Sequence, residues 1–464
     1  MNSEIISQPV SSIQNKIDNL LSADFFQSTL IACDIYDLTK GGILYQKNHK
    51  MLLHPASNMK ILTSAAGLLF LGPDYKFKTS LYYSGQIING TLYGDLYIVG
   101  GFDPDFISSD LDSLVNIIFL TGIKEITGDI IGDISSKDSI FWGNGWMWDD
   151  DPSTDAPYLS ALNINDNAVA VFVKGVNLGD TAEVSIKPQT NFVNIINSAV
   201  TISPFDKDSL YIDRDWINRK NTVIVKGTVN QTFSTDKVPR EVKLNLFEPE
   251  KYFLTLFIEA LDSAGIKTKS EFKFSVKPDY AVHLFSFERG YDSVMVNLNK
   301  TSDNLSAEMI LYAMAAEHFD LPASVHNGLK LIDSLIILAG LNPENYRFAD
   351  GSGVSRYNLV SAEMLLNLLK YLYYQQSDLY LVLYNSFPIA GVDGTLEDRM
   401  IGTAAENNVH AKTGTLSGVS TLSGYLTSAS GSMIAFSIII QNYTAESSAA
   451  RYYIDEICKI LAEE

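Results

Sequence analysis

The chain opens with apolar residues at helical spacing. Ile13, Ile17, Leu20 and Leu21 fall on one face of a helix predicted over 13–28. Two strand-like runs follow at 29–38 and 42–47, joined through Lys40-Gly41-Gly42, a hairpin signal. His54-Pro55-Ala56 stops the extended structure. A second helix then begins at Ser57, with Ile61, Leu62, Ala65, Ala66, Leu69 and Phe70 on its apolar face, and ends near Gly72-Pro73. From 77 to 280 the pattern changes to short alternating runs, such as 80–83, 91–99, 167–173 and 222–229, cut by Gly, Asn and Asp turns. One helix, 249–264, interrupts this β-rich stretch and closes on Gly265. Helical patterns return at 305–318, 325–339 and 361–373. Extended runs at 413–426 and 433–441 then form a hairpin before a last helix. The expected organisation is an α/β beginning, a β-rich insertion and an α/β end, with the two flanks building one domain on a common sheet. No internal repeat or low-complexity segment occurs.

Composition narrows the functional classes. At 464 residues the chain should hold about three domains. Its 46% hydrophobic and 19% charged residues suit a folded chain rather than a largely disordered one. A net charge of -20 opposes non-specific nucleic-acid binding and electrostatic docking on anionic lipid. No run of apolar residues is long enough to span a bilayer. Residues 1–12 lack the basic start and apolar block of a signal peptide, so either the protein is cytoplasmic or its export signal lies outside this sequence. Cys33 and Cys458 are too few for a disulfide framework, and they read either as two buried thiols or as one bridge between the chain ends. The six histidines show no metal-binding spacing, so no metal is expected.

Three short motifs carry the chemistry: Ser57-Asn58-Met59-Lys60, Ser302-Asp303-Asn304 and Lys412-Thr413-Gly414. At a helix start, residues three apart share a face, so the Lys60 amine can reach the Ser57 hydroxyl and take its proton when burial or nearby positive charge depresses its pKa. The helix N-terminus also presents amides to a developing oxyanion. The same spacing recurs at Ser234–Lys237, where Pro239 follows, and at Ser270–Lys273, in an alternating strand pattern that points the two to opposite faces. Only Ser57–Lys60 opens a long apolar-faced helix. Ser302 can relay a proton and Asn304 can hold a substrate carbonyl, although both also suit a helix cap. A strand beginning at Lys412 can align an extended peptide, with Lys412 and Thr413 on its carboxylate and Gly414 allowing close approach.

The surrounding words narrow the match. His-Pro-Ala-Ser-Asn-Met-Lys (54–60), Asn-Lys-Thr-Ser-Asp-Asn-Leu-Ser-Ala-Glu (299–308), Asp-Gly-Ser-Gly-Val-Ser-Arg (350–356), Ala-Gly-Val-Asp-Gly-Thr-Leu (390–396) and Ala-Lys-Thr-Gly-Thr-Leu-Ser-Gly-Val-Ser (411–420) stand together. Along nearly its whole length the chain resembles the class C low-molecular-mass penicillin-binding proteins, the D-alanyl-D-alanine carboxypeptidase/endopeptidase family. The resemblance implies an α/β (α+β) serine β-lactamase/transpeptidase-like domain, an antiparallel sheet flanked by helices, with a large β-rich insertion of one or two subdomains. It implies a discontinuous catalytic domain at 1–76 and 281–464, an inserted domain at 77–157 and 245–280, and a third at 158–244. Ser57 would be the nucleophile, Lys60 the base, Ser302 and Asn304 the relay and positioning groups, and Lys412 and Thr413 the carboxylate site. The amides of Ser57 and Thr415 would form the oxyanion hole.

The implied partners are peptidoglycan stem peptides and, as covalent inhibitors, β-lactams; no cofactor is implied. Arg356 and Asp149, or its neighbours Asp150 and Asp151 beside Trp146 and Trp148, would meet the free amino acid end of a diaminopimelate side chain. The family works outside the cytoplasmic membrane, which implies the periplasm or cell envelope. Gly100-Gly101-Phe102-Asp103-Pro104 departs from the family's Gly-Asp-Pro turn. The competing readings are a β-lactamase or esterase with the same acyl-enzyme chemistry, and a non-catalytic peptidoglycan-binding protein.

Overall fold

The computed structural model describes residues 12–232 and 239–464. The N-terminal segment read for export signals lies almost entirely outside them, as does Ser234–Lys237. The chain divides into two compact units, one of Met1–Pro73, Met295–Asp303 and His326–Glu464, the other of Asp74–Val294 and Asn304–Val325.

In the first unit a five-stranded antiparallel sheet runs in the order His410–Leu416, Val419–Thr427, Met433–Gln441, Leu30–Asp37, Gly42–Lys47. The two ends of the chain therefore meet at its centre, where Leu30 opposes Gln441 and Asp37 opposes Ile434. Alternation sorts the faces. Ile31, Cys33, Ile35, Phe436 and Ile438 pack against helices Ser12–Leu20 and Ser447–Ala462. The opposite face is covered by helix Ala362–Gln375, whose Leu369 carbonyl accepts from the Tyr425 hydroxyl at 2.9 Å. Helix Met59–Phe70 packs on helix Ser377–Ser386. Because both faces are covered, the strands are buried almost without interruption, which is why their sequence reads as apolar runs.

Two sequence expectations change in this unit, and of the two readings of the cysteines the free thiols hold. The first helix ends at Leu20, and a short 3-10 turn, Asp24–Gln27, follows a break where the Ser22 hydroxyl bonds the Asn19 carbonyl. The run at 413–426 is two strands rather than one, reversed at Ser417-Gly418, with Gly418 at φ +71°. Cys33 and Cys458 are buried free thiols.

The second unit holds a five-stranded mixed sheet ordered Phe272–Phe274, Ile130–Asp133, Leu96–Val99, Lys76–Tyr83, Val282–Gly290. Helices Ser108–Leu120 and Pro249–Ser263 cover it through a core that includes Leu114, Ile118, Phe253 and Phe257. Smaller sheets contain Ala168–Lys174, Tyr211–Arg214 and Thr222–Lys226. A buried Arg214–Asp151 pair braces this region, with the Tyr158 hydroxyl donating to Asp151 at 2.8 Å and Arg214 to Asn245 at 3.0 Å. Helix Asn304–His318 is buried on nearly all sides. Lys273, the second false partner, pairs with Asp129 at 2.6 Å. Among the described residues no helix is long and apolar enough to cross a membrane.

Candidate active site

Ser57 lies in a 3-10 turn, Ala56–Asn58, that leads into helix Met59–Phe70. Ala56 holds φ +46°, a costly conformation for a residue with a Cβ. The segment 350–358 holds it there. A Cβ on Gly353, at φ +87°, would lie 1.9 Å from the Ala56 carbonyl, so only glycine lets this segment close over the turn. Asp350, fully buried, organises the segment by accepting from the amides of Gly353 at 2.9 Å and Ser355 at 2.7 Å and from Asn358 at 2.6 Å.

Lys60 is also fully buried. Its amine donates to Ser57 Oγ at 3.1 Å and to the Ser352 carbonyl at 2.7 Å. The fork formed by these two acceptors keeps the amine on the serine. Asn58 faces away from the hydroxyl and joins the helix to the sheet. Its amide nitrogen points to the Lys412 carbonyl at 2.9 Å and its oxygen to the Ser423 amide at 3.1 Å.

The sheet-edge strand His410–Leu416 passes against the turn. A Cβ on Gly414 would come within 2.9 Å of the Ser57 amide nitrogen and 2.3 Å of Thr421 Oγ1. Gly414 thus sets how closely the Thr415 amide can approach that of Ser57. Lys412, buried, donates to Ser302 Oγ at 2.9 Å and to the Thr413 carbonyl at 3.0 Å. Burial, and then the positive charge of Lys60, push its amine well below the ordinary lysine range. Ser302 stands at φ +65°. The Thr413 hydroxyl shares a hydrogen bond of 2.7 Å with Thr395.

Within the first unit, Ser57, Lys60, Ser302, Lys412, Thr413, Gly414 and Thr415 form one cluster. Arg356 belongs to the same unit and donates to the Ser417 carbonyl at 2.9 Å, bracing the turn after Thr415. Asn304 and Asp149 belong to the second unit. Asn304 starts its helix and donates to the Asp155 carbonyl at 2.6 Å; Asp149 is exposed in the 3-10 turn Trp148–Asp150. Sequence reasoning assigned no role to Ser352, Asp350, Asn58 or Thr395. Two of the matching words, 350–356 and 390–396, contain three of them, and Asn58 lies inside the first motif.

A hydroxyl held by one buried amine, a second amine of depressed pKa on a second hydroxyl, and a sheet-edge strand beside them define a serine acyltransferase site. The D-Ala-D-Ala carboxypeptidase 3 (S13) family matches residues 13–464, and the chain belongs to it. It is a serine-type D-Ala-D-Ala peptidase. It is 29% identical to D-alanyl-D-alanine carboxypeptidase DacB of Haemophilus influenzae, over 94% of each chain. It is 30% identical to the D-alanyl-D-alanine carboxypeptidase of Actinomadura sp., over 95% of this chain and 83% of that one. The crystal structure of penicillin binding protein 4 (dacB) from H. influenzae matches it with a TM-score of 0.82 at 27% identity, covering 96% of this chain and 97% of that one.

Proposed function

We propose that the enzyme cleaves D-Ala-D-Ala peptides of peptidoglycan through an ester on Ser57. Ser57 Oγ attacks the penultimate D-Ala carbonyl as Lys60, in its neutral form, takes the proton, and the negative oxygen is held by the amides of Ser57 and Thr415. The C–N bond breaks, and the proton returns to the leaving amine through Ser302 and Lys412. Water then hydrolyses the ester. Lys412 and Thr413 hold the terminal carboxylate, with the substrate strand lying along the part of the edge strand that begins at Lys412. Asn304 positions the substrate carbonyl, and Asp149 and Arg356 meet the free amino acid end of the third residue's side chain. The enzyme works in the periplasm or cell envelope. Of the insertion, 77–157 with 245–280 and 158–244 act as separate domains.

The supporting observation is the 3.1 Å contact between the buried Lys60 amine and Ser57 Oγ. Intact-protein mass after benzylpenicillin provides the test. A lasting single adduct on the wild type, absent from Ser57→Ala, is expected. An unchanged wild-type mass with no penicillin consumed would sink the reading, while rapid consumption without an adduct would favour a β-lactamase.

A further inference from the structure

The chain has four tryptophans, and all four line one cleft of about 360 Å³ in the second unit. Trp142, Trp146 and Trp148 come from one loop; Trp216 comes from the turn between strands Tyr211–Arg214 and Thr222–Lys226. The floor is built for rigidity. Trp146 is buried edge-on to Trp142 at 5.4 Å, and a Cβ on Gly143 would lie 2.1 Å from its ring. The rim is not built for folding, since Trp148 is 71% and Ile217 73% exposed. Trp148 and Trp216 stand 4.9 Å apart at 38°, forming a tilted aromatic edge. Beside them the exposed Arg219 guanidinium lies 5.4 Å over the Phe141 ring.

Exposed aromatic faces gathered into a rigid cleft mark a ligand site, because leaving them in water costs hydrophobic free energy that folding does not recover. The neighbouring acids, Asp149, Asp150 and Asp215, disfavour an anionic ligand such as a nucleotide. An uncharged pyranose suits the cleft: its C–H faces stack on indole, and its hydroxyls and acetamido group find Arg219 at the rim. We propose that this cleft binds an N-acetylated amino sugar of the glycan strand, holding the polymer that carries the peptide. This rests on the peptidoglycan reading above.

Because every tryptophan lies in the cleft, intrinsic emission reports on it directly. The full-length protein is titrated with chitotetraose, with glycan-free D-Ala-D-Ala dipeptide and with a proline-rich peptide. The expected result is a saturable emission change with chitotetraose alone. Trp148→Ala and Trp216→Ala should each weaken it by roughly tenfold. Adduct formation with benzylpenicillin, measured on the same samples, should be unchanged in both variants. No emission change with chitotetraose, a change that persists in both variants, or a response to either peptide instead would overturn the proposal. Loss of the benzylpenicillin adduct from the wild type would instead indict the peptidase reading. Since Trp148 is mostly exposed, its substitution leaves the fold intact, and the acylation control verifies this.

Discussion

Gly414 and Gly353 are the residues whose missing side chains shape the nucleophile. Gly414→Ala places a methyl group 2.9 Å from the Ser57 amide, so the strand must retreat from the oxyanion position. Acylation by a fluorescent penicillin should slow by about a hundredfold; a wild-type rate would refute the role. Thr395 acts through Thr413. Thr395→Val should raise KM roughly tenfold for a peptide ending in a free carboxylate and leave kcat nearly unchanged. An equal rise for the C-terminal amide would argue against it. The lysines set the pH dependence. Lys412 is depressed by burial and by Lys60, so charging both amines together is disfavoured. As pH falls and Lys412 gains its proton, the relay loses its acceptor, and kcat/KM should fall on the acid side. Stability should move the same way: from the depressed folded value up to the ordinary lysine pKa the unfolded chain binds more protons, so stability rises with pH. A flat acid limb in kcat/KM would contradict this. At this scale the motif residues were legible because short spacing fixes their relation within one helix or strand. Ser352 and Thr395 were not, because their partners lie far away in sequence.

At the scale of elements, Phe102 shows how the fold absorbs a departure from the expected turn. It holds φ +65° where a glycine would be at ease, and its ring stacks 5.8 Å from Tyr312 at 11°. The adjacent Asp103 is buried against Arg289 at 2.9 Å, and Arg289 also reaches Asp110 at 2.5 Å, joining strand Val282–Gly290 to helix Ser108–Leu120. Burial outweighs the guanidinium and raises the Asp103 carboxyl to about 6. Arg289→Ala should therefore destabilise the protein by about 3–5 kcal/mol in urea unfolding near neutral pH, because it strands a buried carboxylate. The loss should shrink as pH falls through 6 and the carboxyl takes up its proton. A pH-independent loss would mean packing dominates. Alternation and turn residues exposed most strands and long helices. The divided 413–426 run escaped because both faces of its strands are buried, which removes the alternation that marks a strand's limits.

For the whole molecule, the net charge of -20 repels itself in the folded state. Raising salt from about 10 to 200 mM should raise Tm by screening this repulsion, and a falling Tm would show that ion pairs outweigh it. The sequence by itself determined the three motifs, their local helix or strand, the β-rich character of the middle and hence the family. These follow from residue type and short-range periodicity. Only the tertiary structure decided that the first and last strands lie side by side, that Asp350 and Gly353 close over Ala56, and that one lysine lowers the pKa of the other. Each depends on residues separated by hundreds of positions, whose approach is set by packing two covered faces of one sheet rather than by any local pattern.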